Sequence, residues 1–334
     1  MSISAQTIST LEGLENVRAD WRALWRRAPA STVFQSPGWL IPWWRHFAPG
    51  QLVCLALWRD KDLVGFAPLY REEGSRRLLP LGISLSDYLD ILVDNESSDS
   101  ITPAMGTEIA RAAASGEICF PDVAPDAALL GLSFDGYIAK RDSAETSPEL
   151  CLDGPDNPLE NVRAHQRQNL RTAENRAQRR GCVVSDVAEK DLPQFIAALM
   201  QLHCARQRDL GHAGLGSDVR VLPFFIEALG ALAQDGVIRA YRVTHEDRLI
   251  AGYLGFVYRG RASYYFSGFD QEYAFESPGT VLIGHAMRSA VTEDAHTFDF
   301  LRGAEPYKYA WGARDRQLLS LSFVRQFSDV ALAS

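Results

Sequence analysis

Two stretches far apart in the chain read as the same β-hairpin. "LALWRDKDLVGFAPLY", from Leu55, and "AYRVTHEDRLIAGYLGF", from Ala240, each place alternating apolar residues on both sides of a short polar turn. They align with Leu63 on Leu249, Val64 on Ile250 and Gly65 on Gly252 or Ala251, an offset near 186 residues. In a chain of 334 residues such a repeat leaves room for two units, each large enough to bury a core.

The surroundings of the two hairpins agree. In the first half, helical patterns near Leu11 to Arg27 and Pro37 to Phe47 come before the hairpin. After it come "RRLLPLG", the strand "YLDILV", a helix from about Pro103 to Ala114 and a strand near "EICFPDV". In the second half a basic helix, an amphipathic one from Asp191 to Arg208 and a third from about Asp218 to Gln234 precede the hairpin. Then follow the strand "ASYYFSGF", a helix opened by "SPG", the strand "TFDFL", the aromatic loop "YKYAWG" and a last strand near "LLSLSFVRQF". This layout predicts an α/β fold with a mixed sheet, made twice. The expected domains are 1–150 and 151–334, with "RDSAETSPELCLDGPDNP", Arg141 to Pro158, as a connector rich in turn-forming residues.

Composition narrows the function. A net charge of -8 argues against broad binding to nucleic acid, and DNA is not expected as a partner. No apolar run is long enough to span a bilayer, and "MSISAQTISTLEGLENVRAD" lacks the basic start and apolar core of a signal peptide, so we expect a cytoplasmic protein. The five cysteines are scattered, with no Cys-x-x-Cys and no Cys/His cluster, so neither a metal site nor a disulfide framework is expected. Six of the seven tryptophans lie in the first half, and an aromatic core is preferred to a sugar-binding platform. The one basic patch, Asn161 to Gly181, carries Arg163, Arg167, Arg171, Arg176, Arg179 and Arg180 against Glu174; it is either a solvated arm or a face for phosphates.

"SPG" occurs twice, at Ser36 and at Ser277, in each case with Ser as the expected N-cap and Pro at the first helical position. The two lie on opposite sides of their hairpins and so are different elements. The counterpart of the Ser277 helix in the first half is expected to be the one led by Thr102 and Pro103, with Ala104 where the second half has Gly279. A helix N-terminus at Ser277, Pro278, Gly279 and Thr280 offers free N–H groups and a positive dipole end to a phosphate, or is simply a capped helix. Asp299 sits among Phe298, Phe300 and Leu301 in an expected buried parallel strand, so it needs a partner or a task, and Arg302 and Lys308 are the nearby partners. Glu305, Tyr307 and Tyr309 follow in a loop past the strand end, where such sheets bind ligands. His203 continues the apolar line of Leu192, Phe195 and Leu199; it is either a core histidine bonded to a carbonyl or, with Arg206 and His212, part of a substrate wall.

Taken as a set, "SPGTVLIGHAMRSA", "FDFLRGAEPYKYAWG", "LHCARQRDLG", "FQSPGWLIPWW", "LVGFAPLY" and "LGISLSDYLDILV" resemble the cellulose-biosynthesis-associated acetyltransferase family (CelD/BcsL-like), a branch of the GNAT acyltransferase superfamily. The likeness spans most of the chain. It implies two GNAT-like units in tandem, an arrangement shared with Fem-type aminoacyl-tRNA-dependent peptidyltransferases. "YKYAWG" is similar to their Phe-Lys-x-x-Phe-Gly segment, with Tyr307, Lys308, Trp311 and Gly312 at the matching places, which implies a substrate-binding or catalytic Lys308. The family's helix after its fourth strand holds the coenzyme A pyrophosphate, and the helix from Ser277 corresponds to it. The usual Gln/Arg-x-x-Gly-x-Gly/Ala loop is absent, and "FESPGT" has one glycine in its place.

The resemblance therefore implies an N-acyltransferase that moves an acyl group from acyl-CoA to an amine of a small molecule, a peptide or an envelope or polysaccharide precursor. Glu305 or Asp299 is the expected base, Tyr307 the acid for the leaving thiolate, and an N–H near Gly268 the oxyanion donor. His203, Arg206, Arg302 and Trp311 are expected to contact substrate, in a cleft between the halves, with the first half lacking a donor site because Ala104 and Met105 replace the open turn. An acyl carrier protein or aminoacyl-tRNA is the alternative donor, and a non-catalytic partner of an exopolysaccharide pathway the alternative role.

Overall fold

The structure is a computed structural model that describes residues 3–95, 98–153, 159–209, 211 and 214–326. His212 and residues 154–158 of the expected connector lie outside the described residues. The chain forms two compact units, Met1–Glu145 with Gln317–Ser334, and Thr146–Arg316.

In the first unit, β1 (Ile3–Ile8) leads into α1 (Leu11–Asn16) and α2 (Arg18–Arg27). One helix was expected here; the chain instead breaks at Val17, whose φ and ψ of -95° and 4° are not helical. The helix α3 (Pro37–Phe47) begins as its sequence requires, with Ser36 accepting from the Trp39 N–H at 3.2 Å and Pro37 at the first position. Next come β2 (Gly50–Leu52), β3 (Cys54–Arg59), β4 (Asp62–Ala67), β5 (Leu69–Glu72), β6 (Leu78–Pro80), β7 (Leu92–Val93), α4 (Ser98–Ala113) and β8 (Ile118–Val123). The strands β1, β3, β4 and β7 form a sheet in that order.

The tryptophans are core, apart from the half-buried Trp58. Trp21, Trp25 and Trp39 are buried, and each indole N–H has a partner: the Gln35 carbonyl at 2.9 Å, the Thr32 carbonyl at 2.7 Å and the Ser86 hydroxyl at 2.9 Å. Burying a large side chain contributes about 1.5–3 kcal/mol only when its polar atom is also satisfied. α4 corrects one expectation. It starts at Ser98 and contains Pro103, so Thr102 and Pro103 do not open it, and Ala104 is not at the position that Gly279 holds in its own helix.

The expected connector is largely strand. β9 (Tyr137–Cys151) runs through it, almost all polar and exposed as far as Thr146 and buried only near its end. Partner strands impose its conformation, which no apolar alternation announces. The second unit begins within it and continues with α5 (Ala164–Arg179), β10 (Val183–Asp186), α6 (Leu192–Asp209), α7 (Val221–Gln234), β11 (Ile238–His245), β12 (Arg248–Tyr258), β13 (Arg261–Phe269), α8 (Pro278–Thr292), β14 (Thr297–Asp299) and α9 (Pro306–Ala310). Its strands run β10, β11, β12, β13, β14, β9, with β13 and β14 parallel and the other pairs antiparallel. The segment "YKYAWG", expected as a loop, is the short helix α9 and its end. The last strand, β15 (Arg314–Arg325), pairs its outer part with β8, Leu319 opposite Val123 and Phe323 opposite Ile118, and so from Gln317 belongs with the first unit.

The repeated hairpins agree in detail. Trp58 pairs with Leu63 and Leu57 with Gly65, while Thr244 pairs with Leu249 and Val243 with Ala251. Each hairpin therefore has a bulge at the same place, Val64 in one and Ile250 in the other, and the alignment is settled with Gly65 on Ala251.

Candidate active site

The second unit opens where two parallel strands part. β13 and β14 pair from Arg261 opposite Thr297 to Ser263 opposite Asp299; β14 then ends, while β13 continues to Phe269. A bulge at Tyr265 shifts the register of β13 on β12 between Tyr264 and Phe266. Residues three apart in a strand normally point to opposite faces; the extra residue brings Tyr264 and Ser267 to the same one. Their hydroxyls are 2.5 Å apart.

The loop after β14 is held by charge. Asp299 is fully buried (0% exposed) and takes three donors: the Ser147 hydroxyl at 3.2 Å, the Leu301 N–H at 2.9 Å and the Arg261 guanidinium at 3.2 Å. Arg261 is an ionic partner, reaching across the sheet from two strand positions before Ser263, the residue opposite Asp299. With both oxygens hydrogen-bonded and no exposure, Asp299 braces the strand end, a structural role beside the base role expected of it. Lys308 is 2% exposed, and its ammonium donates to the carbonyls of Leu301 (3.0 Å), Arg302 (2.6 Å) and Gly303 (3.0 Å), with Glu305 at 2.9 Å. An ammonium has three hydrogens, and the loop takes all three. Leu301 and Gly303 have φ of 57° and 105°, so Lys308 fixes a backbone that would not hold itself. The catalytic and substrate roles expected of Lys308 give way to this one. Arg302 serves the same knot through its carbonyl.

Trp311, expected to contact substrate, is core at 1% exposure. Its carbonyl accepts from the Arg163 N–H at 3.3 Å, tying α9 to the start of α5. Gly268 is likewise explained by packing: a Cβ there would lie 2.5 Å from the His203 nitrogen, so the glycine admits the backbone of α6 and not a ligand.

Other expected residues do come together. The Tyr307 ring, 40% exposed, lies 6.3 Å from Tyr264 and 6.2 Å from Phe300, with its hydroxyl toward that of Tyr264. Burial, then the neighbouring Tyr264 and Glu305, push the Tyr307 phenol far up, and burial also raises Tyr264, so both keep their protons at neutral pH. From α6, His203 meets the Ser267 carbonyl through Nδ1 at 2.9 Å and packs edge-on against Phe266 at 5.4 Å. One turn on, the Arg206 guanidinium lies 4.7 Å above the Phe269 ring. Tyr264 and Ser267 had not been singled out from the sequence. Their signal was the run "SYYFSG", which breaks strand alternation where the bulge lies.

The α8 N-terminus differs from its twin at Ser36. Ser277 is left-handed, with φ 51° and ψ 52°, and makes no side-chain cap; its hydroxyl turns back to the Ala274 carbonyl at 3.4 Å. Pro278 is at the first position as expected, and the Thr280 N–H folds back on the Ser277 carbonyl at 3.0 Å. Gly279 leaves open space at the helix start: beyond its chain neighbours and its own helix backbone, the nearest atom to a Gly279 Cβ would be a Phe269 ring carbon at 3.9 Å. Gly284, by contrast, makes room for Leu170 of α5. Three arginines of the basic patch are committed internally. Arg167 binds the carbonyls of Glu160 and Val162 at 2.8 Å each. Arg176 lies over Phe275 and donates to its carbonyl, and Arg180 pairs with Glu276 at 3.1 Å and Glu272 at 3.2 Å while covering Tyr273. The turn ahead of α8 is therefore clamped by α5 and nearly neutral. It suits one anionic group at Gly279 and Thr280 more than the many-amide cradle of a multi-glycine loop.

Among the described residues no group of His, Cys, Asp and Glu could hold a metal ion, and no helix is long and apolar enough to cross a membrane. No curated protein matches the chain by sequence. Among solved structures it is similar to FemX, with a TM-score of 0.64 and 16% identity over 97% of this chain and 98% of that one. It is also similar to the C-terminal DUF2156 domain of a protein from Agrobacterium fabrum (TM-score 0.60, 11% identity, 94% and 92% covered). A third is L-PGS from Bacillus licheniformis (0.57, 11%, 96% and 93%). At such identities the likeness is one of fold, and the expected α/β fold with Fem-like architecture holds. Residues 164–309 match the family model for the acetyltransferase (GNAT) domain, which supports the expected enzyme class.

Proposed function

We propose that the protein is an N-acyltransferase that moves an acyl group from a thioester, acyl-CoA, to an amine, with the chemistry at the carboxyl end of β13. The observation that carries this reading is the GNAT acetyltransferase domain over residues 164–309, with its opened β13 and β14 edge and Tyr307 beside it. The thioester carbonyl lies along β13 past Ser263, where the pairing with β14 has ended, and a backbone N–H of that edge meets the oxyanion. Tyr307 protonates the leaving thiolate; its raised pKa keeps the proton available at neutral pH. Glu305 lies beside it, bound to Lys308. Gly279 and Thr280 take one phosphate of the donor, while Ser277 and Pro278 shape the helix entry. Arg206 and Arg302 line the approach of the acceptor, a small-molecule, peptide or envelope-precursor amine. Within the GNAT superfamily we place the chain in the cellulose-biosynthesis-associated branch, with the donor site in the second unit alone.

The test is thermal melting with coenzyme A, acetyl-CoA and longer acyl-CoAs. A ligand that binds only the folded state stabilises by RT ln(1 + [L]/Kd), about 2.7 kcal/mol at a hundredfold excess over Kd. A rise with acyl-CoA supports the donor; no rise with any of them removes it.

A second reading, Fem-like transfer from aminoacyl-tRNA, is favoured by one observation: Arg163, Arg171 and Arg179 of the α5 region are exposed in a chain of net charge -8. Binding of tRNA through them weakens steeply with salt, and no gel shift at low salt would dismiss it.

A further inference from the structure

The geometry points to His203 as the proton acceptor for the incoming amine, acting through Nε2. This rests on the acyl-transfer reading above and deepens it, because Glu305 was the expected base. The Ser267 carbonyl can only accept, so the Nδ1 at 2.9 Å from it carries the proton, and the neutral ring keeps its lone pair on Nε2. A histidine so oriented by a backbone carbonyl needs no carboxylate to fix its tautomer. The Nε2 atom has no partner among the described contacts and is not among the buried unpaired atoms.

The position matches the chemistry. Ser267 is the shared point: its carbonyl orients His203, and its hydroxyl meets the Tyr264 hydroxyl, which in turn meets Tyr307. A base and an acid thus stand at either end of one short stretch of β13, flanking the part of the strand that has lost its β14 partner. Glu305 is worse placed, since it is held on Lys308 and folds over Gly303, where a Cβ would lie 2.5 Å from its Oε2.

Among charged and titratable groups near this stretch, the helix of His203 supplies Arg206 and β13 supplies Tyr264; beyond Tyr264 lies Tyr307 of α9, with Glu305 just ahead of that helix. On the α7 side the ring is backed by Phe266, stacked on Phe225 at 5.6 Å. Burial lowers the His203 pKa, outweighing the Ser267 bond that would raise it, so the imidazole is neutral at pH 7.

In the transfer the amine nitrogen forms a bond to the thioester carbon and becomes acidic. Its proton passes to Nε2. The carbon–sulfur bond breaks with its electron pair on sulfur, and the Tyr307 hydroxyl gives its proton to that sulfur. Tyr307, partly exposed, recovers a proton through solvent from the His203 imidazolium, so the amine proton ends on the thiol.

The experiment follows thiol release by the full chain with an acyl-CoA and a panel of primary amines, reading kcat/KM from about pH 5 to 9 for wild type and for His203→Gln, whose amide can still donate to Ser267. Expected for wild type is a rise with pH that levels off above an apparent pKa below about 6.5. His203→Gln loses at least about tenfold and its acid limb disappears. A variant within twofold of wild type with the limb intact overturns the assignment. Nitrogen-15 NMR of the wild-type ring gives a second decision that needs neither turnover nor a variant. A neutral Nδ1–H tautomer at pH 7 is expected, and an Nε2–H tautomer overturns the proposal. Absence of thiol release with every amine, beside an Nδ1–H tautomer, would instead count against acyl-CoA transfer.

Discussion

Replacing Lys308 by Met keeps the length and apolar stem of the side chain and removes the ammonium. Three carbonyls, those of Leu301, Arg302 and Gly303, lose the donor that satisfies them. Hydrogen bonds to a charged group contribute about 1.5–3 kcal/mol each, but the Arg302 and Gly303 contacts are only partly buried, so water recovers part of the loss. The Glu305 side chain is 54% exposed, and its ion pair adds little after screening. The sum is about 3–5 kcal/mol, comparable with breaking a buried ionic contact. In a unit of this size each kcal/mol moves the melting point by about 2–4 °C, so Lys308→Met should melt about 6–20 °C below wild type. Circular dichroism melting and urea titration measure it, with Glu305→Gln as a control that shifts stability by less than about 1 kcal/mol. If Lys308→Met melts within about 2 °C of wild type, the loop does not depend on the ammonium, and Lys308 returns to the candidates for substrate contact.

Two further outcomes follow from packing and burial. Gly268→Ala places a methyl 2.5 Å from the backbone nitrogen of His203, so α6 must shift. Overpacking of this kind costs about 1–3 kcal/mol, and an unchanged urea midpoint would contradict the close approach. His203 carries a pH signature of its own. Its folded pKa is lowered by burial, so below the unfolded value near 6.5 the unfolded chain takes up a proton that the folded one refuses. Stability contributed by the neutral ring is thus present above that pH and falls as pH drops through 6.5 toward the folded pKa. The decline should be missing from urea melts of His203→Gln, and an equal decline in both proteins would show that other groups carry it.

Much of the fold was legible because it is written in apolar periodicity. The hairpins at Leu55 and Ala240 align through their alternation, while the bulge they share, at Val64 and Ile250, shows only in the strand register. β9 was not legible. Its polar, mostly exposed sequence takes strand geometry from its neighbours, and a stretch with Ser, Thr, Glu and Pro looks the same in a connector. The same limit governs the site. Sequence placed Asp299 in a buried strand and His203 on an apolar helix face, both from spacing alone. It could not say that Arg261 would reach Asp299 from the neighbouring strand, nor that Lys308 would turn inward to three carbonyls. These partners come from register and loop closure. A lysine in an aromatic, glycine-ended segment reads as a substrate contact until the carbonyls around it are seen.

The return of β15 to β8 has a consequence for the order in which the protein is made. The first unit is not complete when residue 145 leaves the ribosome, because the strand opposite Ile118 to Val123 is contributed by residues 319–323. At about 5–20 residues per second that strand arrives roughly ten to thirty-five seconds later, after the whole second unit has been synthesised. During that interval the edge of β8 lacks this partner. The part of the chain made first is thus among the last to finish folding, and the second unit, continuous in sequence, can close before it.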